Sequence, residues 1–167
     1  MRNHPSLSWP AGDFSRIPYA AYCDPGVYED EQEKIFRGPT WNYLALEEEL
    51  PETGDFLSTK VGETPVVVNR DSGGVLHAFV NRCMHRGMVL CRERQGISAN
   101  FVCPYHQWTY DLAGRLVAVP FRRGDRGKGG MPADFKLEDH GPKRLNITIR
   151  HGVVFASFSE SVEPLQD

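Results

Sequence analysis

Two short stretches constrain this chain more than anything else in it. The first is Cys83-Met84-His85 and the second is Cys103-Pro104-Tyr105-His106, with seventeen residues between His85 and Cys103. Each carries one thiol and one imidazole, and each has a loop-making residue beside or within it, Gly87 or Pro104. Each also follows a short β-type run, residues 75–80 for the first and 101–102 for the second. Two loops at one end of a β scaffold can therefore converge and present two thiolates and two imidazoles to one site. That donor set allows zinc, and it allows a [2Fe–2S] centre in which two Cys hold one iron and two His the other. Zinc sites commonly place a Cys pair before a His pair. Here each loop mixes the two types, which suits two metals side by side.

The rest of the chain reads as the scaffold for those loops. Sixteen Gly and twelve Pro favour turns and short strands over long helices. Residues 56–60, 65–69, 75–80, 101–102, 108–111, 116–119, 145–150 and 153–158 are β-type runs, with turns at 71–74, 113–114 and 151–152. This predicts an all-β fold of antiparallel sheets, a sandwich or partial barrel. Ahead of it, residues 41–46 read as a strand and 47–55 as an acidic loop. Residues 27–37 place Val27, Tyr28, Ile35 and Phe36 on one helical face, and Gly38-Pro39 stops the helix. The four prolines in residues 1–25 predict an irregular arm. The expected organisation is an arm and helix over 1–38, the loop-bearing β domain over 39–160, and the start of a linker over 161–167.

The net charge of −3 argues against a nucleic-acid binder. It is unevenly spread, because residues 82–128 hold nine Lys and Arg against three Asp and Glu. That basic stretch would steer an acidic electron donor toward the site, or it solvates a loop. No apolar run approaches the roughly 18 residues that span a bilayer, and residues 1–9 lack the core of a secretion signal. A cytoplasmic protein is expected, in which four Cys point to metal before disulfides. Cys23 and Cys91 read as plain thiols and Met88 as packing. Trp108, Tyr105 and Tyr110 read as lids packed over the site, and His77 as a satisfied sheet histidine. His4, His140 and His151 have no partner pattern, and Arg86 bonds neighbouring backbone, meets a partner or is solvated.

The run Cys83-Met84-His85-Arg86-Gly87, followed by Cys103-Pro104-Tyr105-His106-Gln107-Trp108-Thr109-Tyr110, resembles the Rieske motif of aromatic-ring-hydroxylating oxygenase large subunits. The flanks, from about Ile35 to Phe158, are most similar to large subunits acting on aromatic carboxylates, of the salicylate 5-hydroxylase, terephthalate and anthranilate dioxygenase kind. The resemblance implies a Rieske fold, with Cys83 and Cys103 on one iron and His85 and His106 on the other, each imidazole turning its second ring N–H outward. It implies a ferredoxin or flavin reductase as electron donor, and a mononuclear iron in a catalytic domain or neighbouring subunit as acceptor, with a trimer in the full-length enzyme. High-potential Rieske proteins carry a disulfide where this chain has Met88 and Tyr105, and a serine where it has Trp108. Fewer donors around the cluster imply the low end of the Rieske range, about −150 mV. The family's D-x2-H-x4-5-H mononuclear iron motif does not occur in the chain. The chain alone is thus expected to relay electrons rather than hydroxylate. A freestanding Rieske ferredoxin is the alternative, set against by the extension before residue 50 and by residues 129–145. A structural zinc module is the third reading.

Overall fold

A computed structural model describes residues 15–126 and 128–165. Part of the expected arm (residues 1–14, His4 included) and the last two residues of the expected linker lie outside them. The architecture is all-β and antiparallel, as the run pattern predicts. Among the described residues ten strands follow in chain order: β1 (Asn42–Leu46), β2 (Asp55–Val61), β3 (Thr64–Arg70), β4 (Leu76–Val80), β5 (Gln95–Ile97), β6 (Phe101–Val102), β7 (Thr109–Tyr110), β8 (Leu116–Ala118), β9 (Arg144–Arg150) and β10 (Val153–Ser157). Seven form a sheet in the order β1-β10-β9-β4-β3-β2-β5, and β6-β7-β8 form a second.

Strand β3 shows how the sheet is used. Side chains alternate along a strand, so Val66 and Val68 join one core while Val67 joins another. The first core is plain hydrocarbon: Leu44, Leu57, Val61, Leu76, Val154 and Phe158 among others, where β1 and β10 curl over β2–β4. The second lies between the other face and the small sheet. It contains Phe56, Phe79, Phe101 and Leu116, and also Cys83, Cys103, Trp108 and Tyr110. The strands that end in the two motifs thus deliver them to one packed layer.

The N-terminal helix departs from its predicted face. It begins at Pro25, with the Asp24 carboxylate accepting from the N–H groups of Gly26 and Val27. It then widens into a π turn over Gln32–Phe36. A π turn adds a residue per turn and slips the 3.6 periodicity. Gln32 becomes the buried residue, while Tyr28 and Ile35 are half exposed. Gln32 Oε1 accepts from the Glu63 N–H at 2.9 Å and so pins the β2–β3 turn. Gly62 makes this approach possible: its φ is 56°, and a Cβ there would meet Phe36 Cβ at 2.9 Å.

Candidate functional site

Each motif is a six-residue loop with the same backbone frame. In the first loop, residues 83–88, the Cys83 N–H donates to Met88 O at 2.7 Å and the Gly87 N–H to Cys83 O at 2.8 Å. In the second, residues 103–108, the Cys103 N–H donates to Trp108 O at 2.8 Å and the Gln107 N–H to Cys103 O at 2.9 Å. Both frames close with the fifth residue in the left-handed region, Gly87 at φ 72° and Gln107 at φ 57°. The frame seats each cysteine inward: Cys83 and Cys103 are 2% and 1% exposed. His85 lies exposed on the surface and His106 half-buried. Their rings meet edge-on with centroids 4.7 Å apart. The four sequence-predicted residues are therefore brought together, thiols inside and imidazoles outside.

Cross-loop contacts lock the pair. His85 stacks on Trp108, with centroids at 4.9 Å and planes 13° apart, and the Arg86 guanidinium sits 5.5 Å from the Tyr105 ring centre. Tyr105 packs on His106 at 3.8 Å. The Tyr110 hydroxyl, fully buried beneath both loops, lies 3.3 Å from Cys83 Sγ and accepts from the Met84 N–H at 3.0 Å. With its lone pair engaged by that N–H, the hydroxyl proton is free to point at sulfur. Burial pushes the Cys83 thiol up, and burial with the Cys83 contact pushes the Tyr110 hydroxyl up. Partial desolvation, then the neighbouring His106 and Arg86, lowers His85.

Several roles differ from the sequence reading. Trp108 is buried against His85 as expected of a lid, but Tyr105 is half exposed. Tyr110 is a hydrogen-bonding group to Cys83 as well as packing. His140 does have partners: its ring meets the Trp108 edge at 5.9 Å and Phe135 at 4.3 Å. His77 pairs with Asp71 at 2.7 Å, a satisfied sheet histidine. Cys91 is buried with its thiol on Glu93 O, and Cys23 is exposed. Asn81 was missed. Its amide donates to Cys91 O and Ser58 Oγ and accepts from the N–H groups of Leu90 and Cys91, tying the first loop's return limb to the end of β4. The one signal was an Asn two residues before a candidate ligand.

The donor set can be tested against a [2Fe–2S] cluster. His106 Nδ1 is buried and has no hydrogen-bond partner. A buried imidazole nitrogen normally has one, and a metal would satisfy it. Two buried thiols behind two imidazoles supply one pair of ligands for each of two irons. The residues fit the cluster.

Comparison with known proteins points the same way. The family model for the Rieske [2Fe-2S] domain matches residues 40–132. The large subunit of anthranilate 1,2-dioxygenase from Burkholderia cepacia is 53% identical over 161 residues, which cover 96% of this chain and 38% of that one. The large oxygenase component of salicylate 5-hydroxylase from Ralstonia sp is 48% identical, over 95% of this chain and 38% of that one. Among solved structures, naphthalene 1,2-dioxygenase from Rhodococcus sp. superposes with a TM-score of 0.78 at 36% identity, over 89% of this chain and 33% of that one. The chain thus spans about two fifths of the length of the curated relatives it matches. These matches take in the helix and residues 129–145, so a freestanding ferredoxin is not favoured.

Proposed function

The chain belongs to the Rieske [2Fe–2S] domain family, and on that premise we propose that Cys83, Cys103, His85 and His106 hold the cluster and that the domain relays single electrons in a ring-hydroxylating oxygenase. The observation that carries this reading is the ordered donor set: two buried thiols, two outward imidazoles and an orphaned His106 Nδ1. The thiolates would take the inner iron and the imidazoles the outer one. When bound, the cluster supplies a one-electron carrier whose potential follows its charge and the hydrogen bonds to its sulfurs.

The chain's own residues set those conditions. Neutral imidazoles spare the site two negative charges, which raises the potential relative to four thiolates. The Tyr110 hydroxyl stabilises negative charge on Cys83. Trp108 keeps water from the face of His85. Met88 and Tyr105 cannot form a disulfide and Trp108 carries no hydroxyl, which supports a potential at the low end of the family range, about −150 mV. A ferredoxin or flavin reductase would deliver the electron. A mononuclear iron in a catalytic domain or a neighbouring subunit would receive it and hydroxylate an aromatic carboxylate, the substrate class that the anthranilate and salicylate relatives support.

The test is direct. Purified protein should be red-brown, contain acid-labile sulfide, and give an electron paramagnetic signal on reduction. His106→Cys should lower the midpoint potential or lose the cluster. A colourless protein with stoichiometric zinc, or unchanged redox behaviour in His106→Cys, overturns the assignment.

A further inference from the structure

Residues 119–126 and 128–131 take no part in the two-loop frame, yet they are braced as closely. The Gly124 N–H donates to Phe121 O at 2.7 Å and the Met131 N–H to Arg122 O at 2.9 Å. Asp125 and Lys128 exchange both backbone hydrogen bonds, at 3.0 and 2.9 Å. Gly130, at φ 101°, lies so close to the opposite limb that a Cβ there would meet Gly124 N at 2.6 Å. These contacts draw residues 121–126 and 128–131 into a small knob.

Its head is Phe121, 77% exposed and at φ 54°. A bulky side chain in the left-handed region is strained, and here that strained backbone carries a ring exposed to water. Arg122, Arg123, Arg126 and Lys128 surround it in sequence, against the single acid Asp125. Arg122 is turned back, its guanidinium 5.9 Å from the Phe135 ring centre and bonded to Phe135 O at 3.2 Å. Phe135 meets Trp108 edge-on at 5.8 Å, and Trp108 stacks on His85. The knob is therefore three contacts from His85, one of guanidinium on ring and two of ring on ring.

A strained, exposed aromatic flanked in sequence by the exposed Arg123 and Arg126 matches a docking anchor, because aromatics and Arg dominate interface energetics and local charge selects the partner. We propose that the Phe121 knob is the docking site of an acidic, ferredoxin-type [2Fe–2S] electron donor, seating Phe121 in an apolar dent rimmed by carboxylates on the His85 side of the site. The proposal rests on the electron-relay reading above and names its entry face. One electron leaves the reduced donor, which is oxidised by one unit, and this chain is reduced by one. No bond forms or breaks.

Two variants of the full chain test it: Phe121→Gly, which removes the ring and relieves the backbone, and Arg123→Glu with Arg126→Glu. The probe is a reduced acidic plant-type [2Fe–2S] ferredoxin in stopped flow, with dithionite as the small reductant. Each variant should slow reduction by the ferredoxin about tenfold or more at low salt. The charge reversal should also flatten the salt dependence. Visible spectra and reduction by dithionite should be unchanged, and Phe121→Gly should melt no lower than the parent. Wild-type rates in both variants overturn the proposal. So does a loss confined to the charge reversal, which would be unspecific attraction. A parent protein that dithionite reduces and ferredoxin does not would overturn the docking and leave the electron-relay reading standing. A colourless parent would end that reading itself.

Discussion

The first and second loops share one backbone frame and are held in it by different chemistry. The first is braced by polar groups: the Arg82 guanidinium on Gly87 O at 3.0 Å, Asn81 on its return limb, and the Tyr110 hydroxyl beneath Cys83. The second closes the β6–β7 hairpin and is braced by rings, Trp108 against His85 and Tyr105 against His106. A frame that recurs under such different supports is set by what it must present, an inward thiol and an outward imidazole. The imidazole stands two residues after the cysteine in the first loop and three in the second, so the backbone geometry is shared and the side-chain placement is not.

If one dinuclear site joins the loops, the difference in bracing disappears when the site is destroyed. Cys83→Ser and Cys103→Ser should each abolish the visible absorption, and iron removal by a chelator should do the same. The expected loss of stability is several kcal/mol, the scale of metal binding coupled to folding. Hydrogen exchange should locate it. Amides around the second core should lose protection, whereas β1, β9 and β10 around the hydrocarbon core should keep theirs. Retention of colour in either serine variant would break the equivalence of the loops.

A smaller change should separate them. Tyr110 reaches Cys83 of the first loop, so Tyr110→Phe removes a donor from one thiolate and leaves the ring packing in place. A hydrogen bond worth about 0.5–1.5 kcal/mol corresponds to a midpoint potential lower by roughly 20–60 mV for one electron. Potentiometric titration with matched spectra would read it. An unchanged potential would mean that the hydroxyl serves only the Met84 N–H.

The fifth residue of each frame gives a third contrast. A Cβ on Gly87 would meet nothing within 4 Å, so Gly87→Ala isolates the cost of the left-handed backbone. Gln107 already bears that cost at φ 57°. Gly87→Ala should therefore destabilise the protein by about 1 kcal/mol, and Gln107→Gly should stabilise it by up to about 1 kcal/mol. Thermal melting of the cluster-loaded protein measures both. If Gln107→Gly destabilises, the Gln107 side chain contributes more to the second loop than its backbone strain costs.

Much of this was legible because the informative residue types act locally. Cys, His, Gly and Pro within a few residues of each other marked both loops, and β-branched or aromatic-rich runs, with alternation in residues 145–150, marked β2, β3, β4, β9 and β10. What escaped the sequence depends on distance along the chain. Strand β5 is three exposed residues, Gln95–Ile97, which alternate in nothing and exist through pairing with β2. The half-exposed Ile35 follows from a π turn that no 3.6-residue pattern anticipates. His140 meets Trp108, 32 positions earlier, through a fold contact that no local pattern marks. Tyr105 reads as a lid packed over the site, yet its ring is half exposed beside Arg86, a placement set by a contact between the two loops.

The β3–β4 turn, at the opposite end of β4 from the first loop, is a control for both loops. It too ends in a left-handed glycine, Gly74 at φ 78°. A carboxylate organises it: Asp71 Oδ1 accepts from the Gly73 and Val75 N–H groups at 2.8 and 2.9 Å, and Oδ2 pairs with His77 at 2.7 Å. The His77 hydrogen bond, followed by those backbone donors, lowers the Asp71 carboxyl below its ordinary 3.8. A carboxyl lowered in the folded state adds stability that is fully present above its unfolded value. That stability is lost as the pH falls through the folded value, because the unfolded chain then binds the extra proton. The side chains of Asp71 and His77 are about a quarter exposed, so screening keeps the effect under about 1 kcal/mol. Urea melts at pH 6 and pH 3 should therefore show a small acid-linked loss in the parent that Asp71→Asn lacks, with the visible spectrum at pH 6 the same in both. If Asp71→Asn instead bleached the spectrum at pH 6, the turn and the loops would be one cooperative unit, and the contrast between a turn held by its own side chain and loops joined through a cluster would fail.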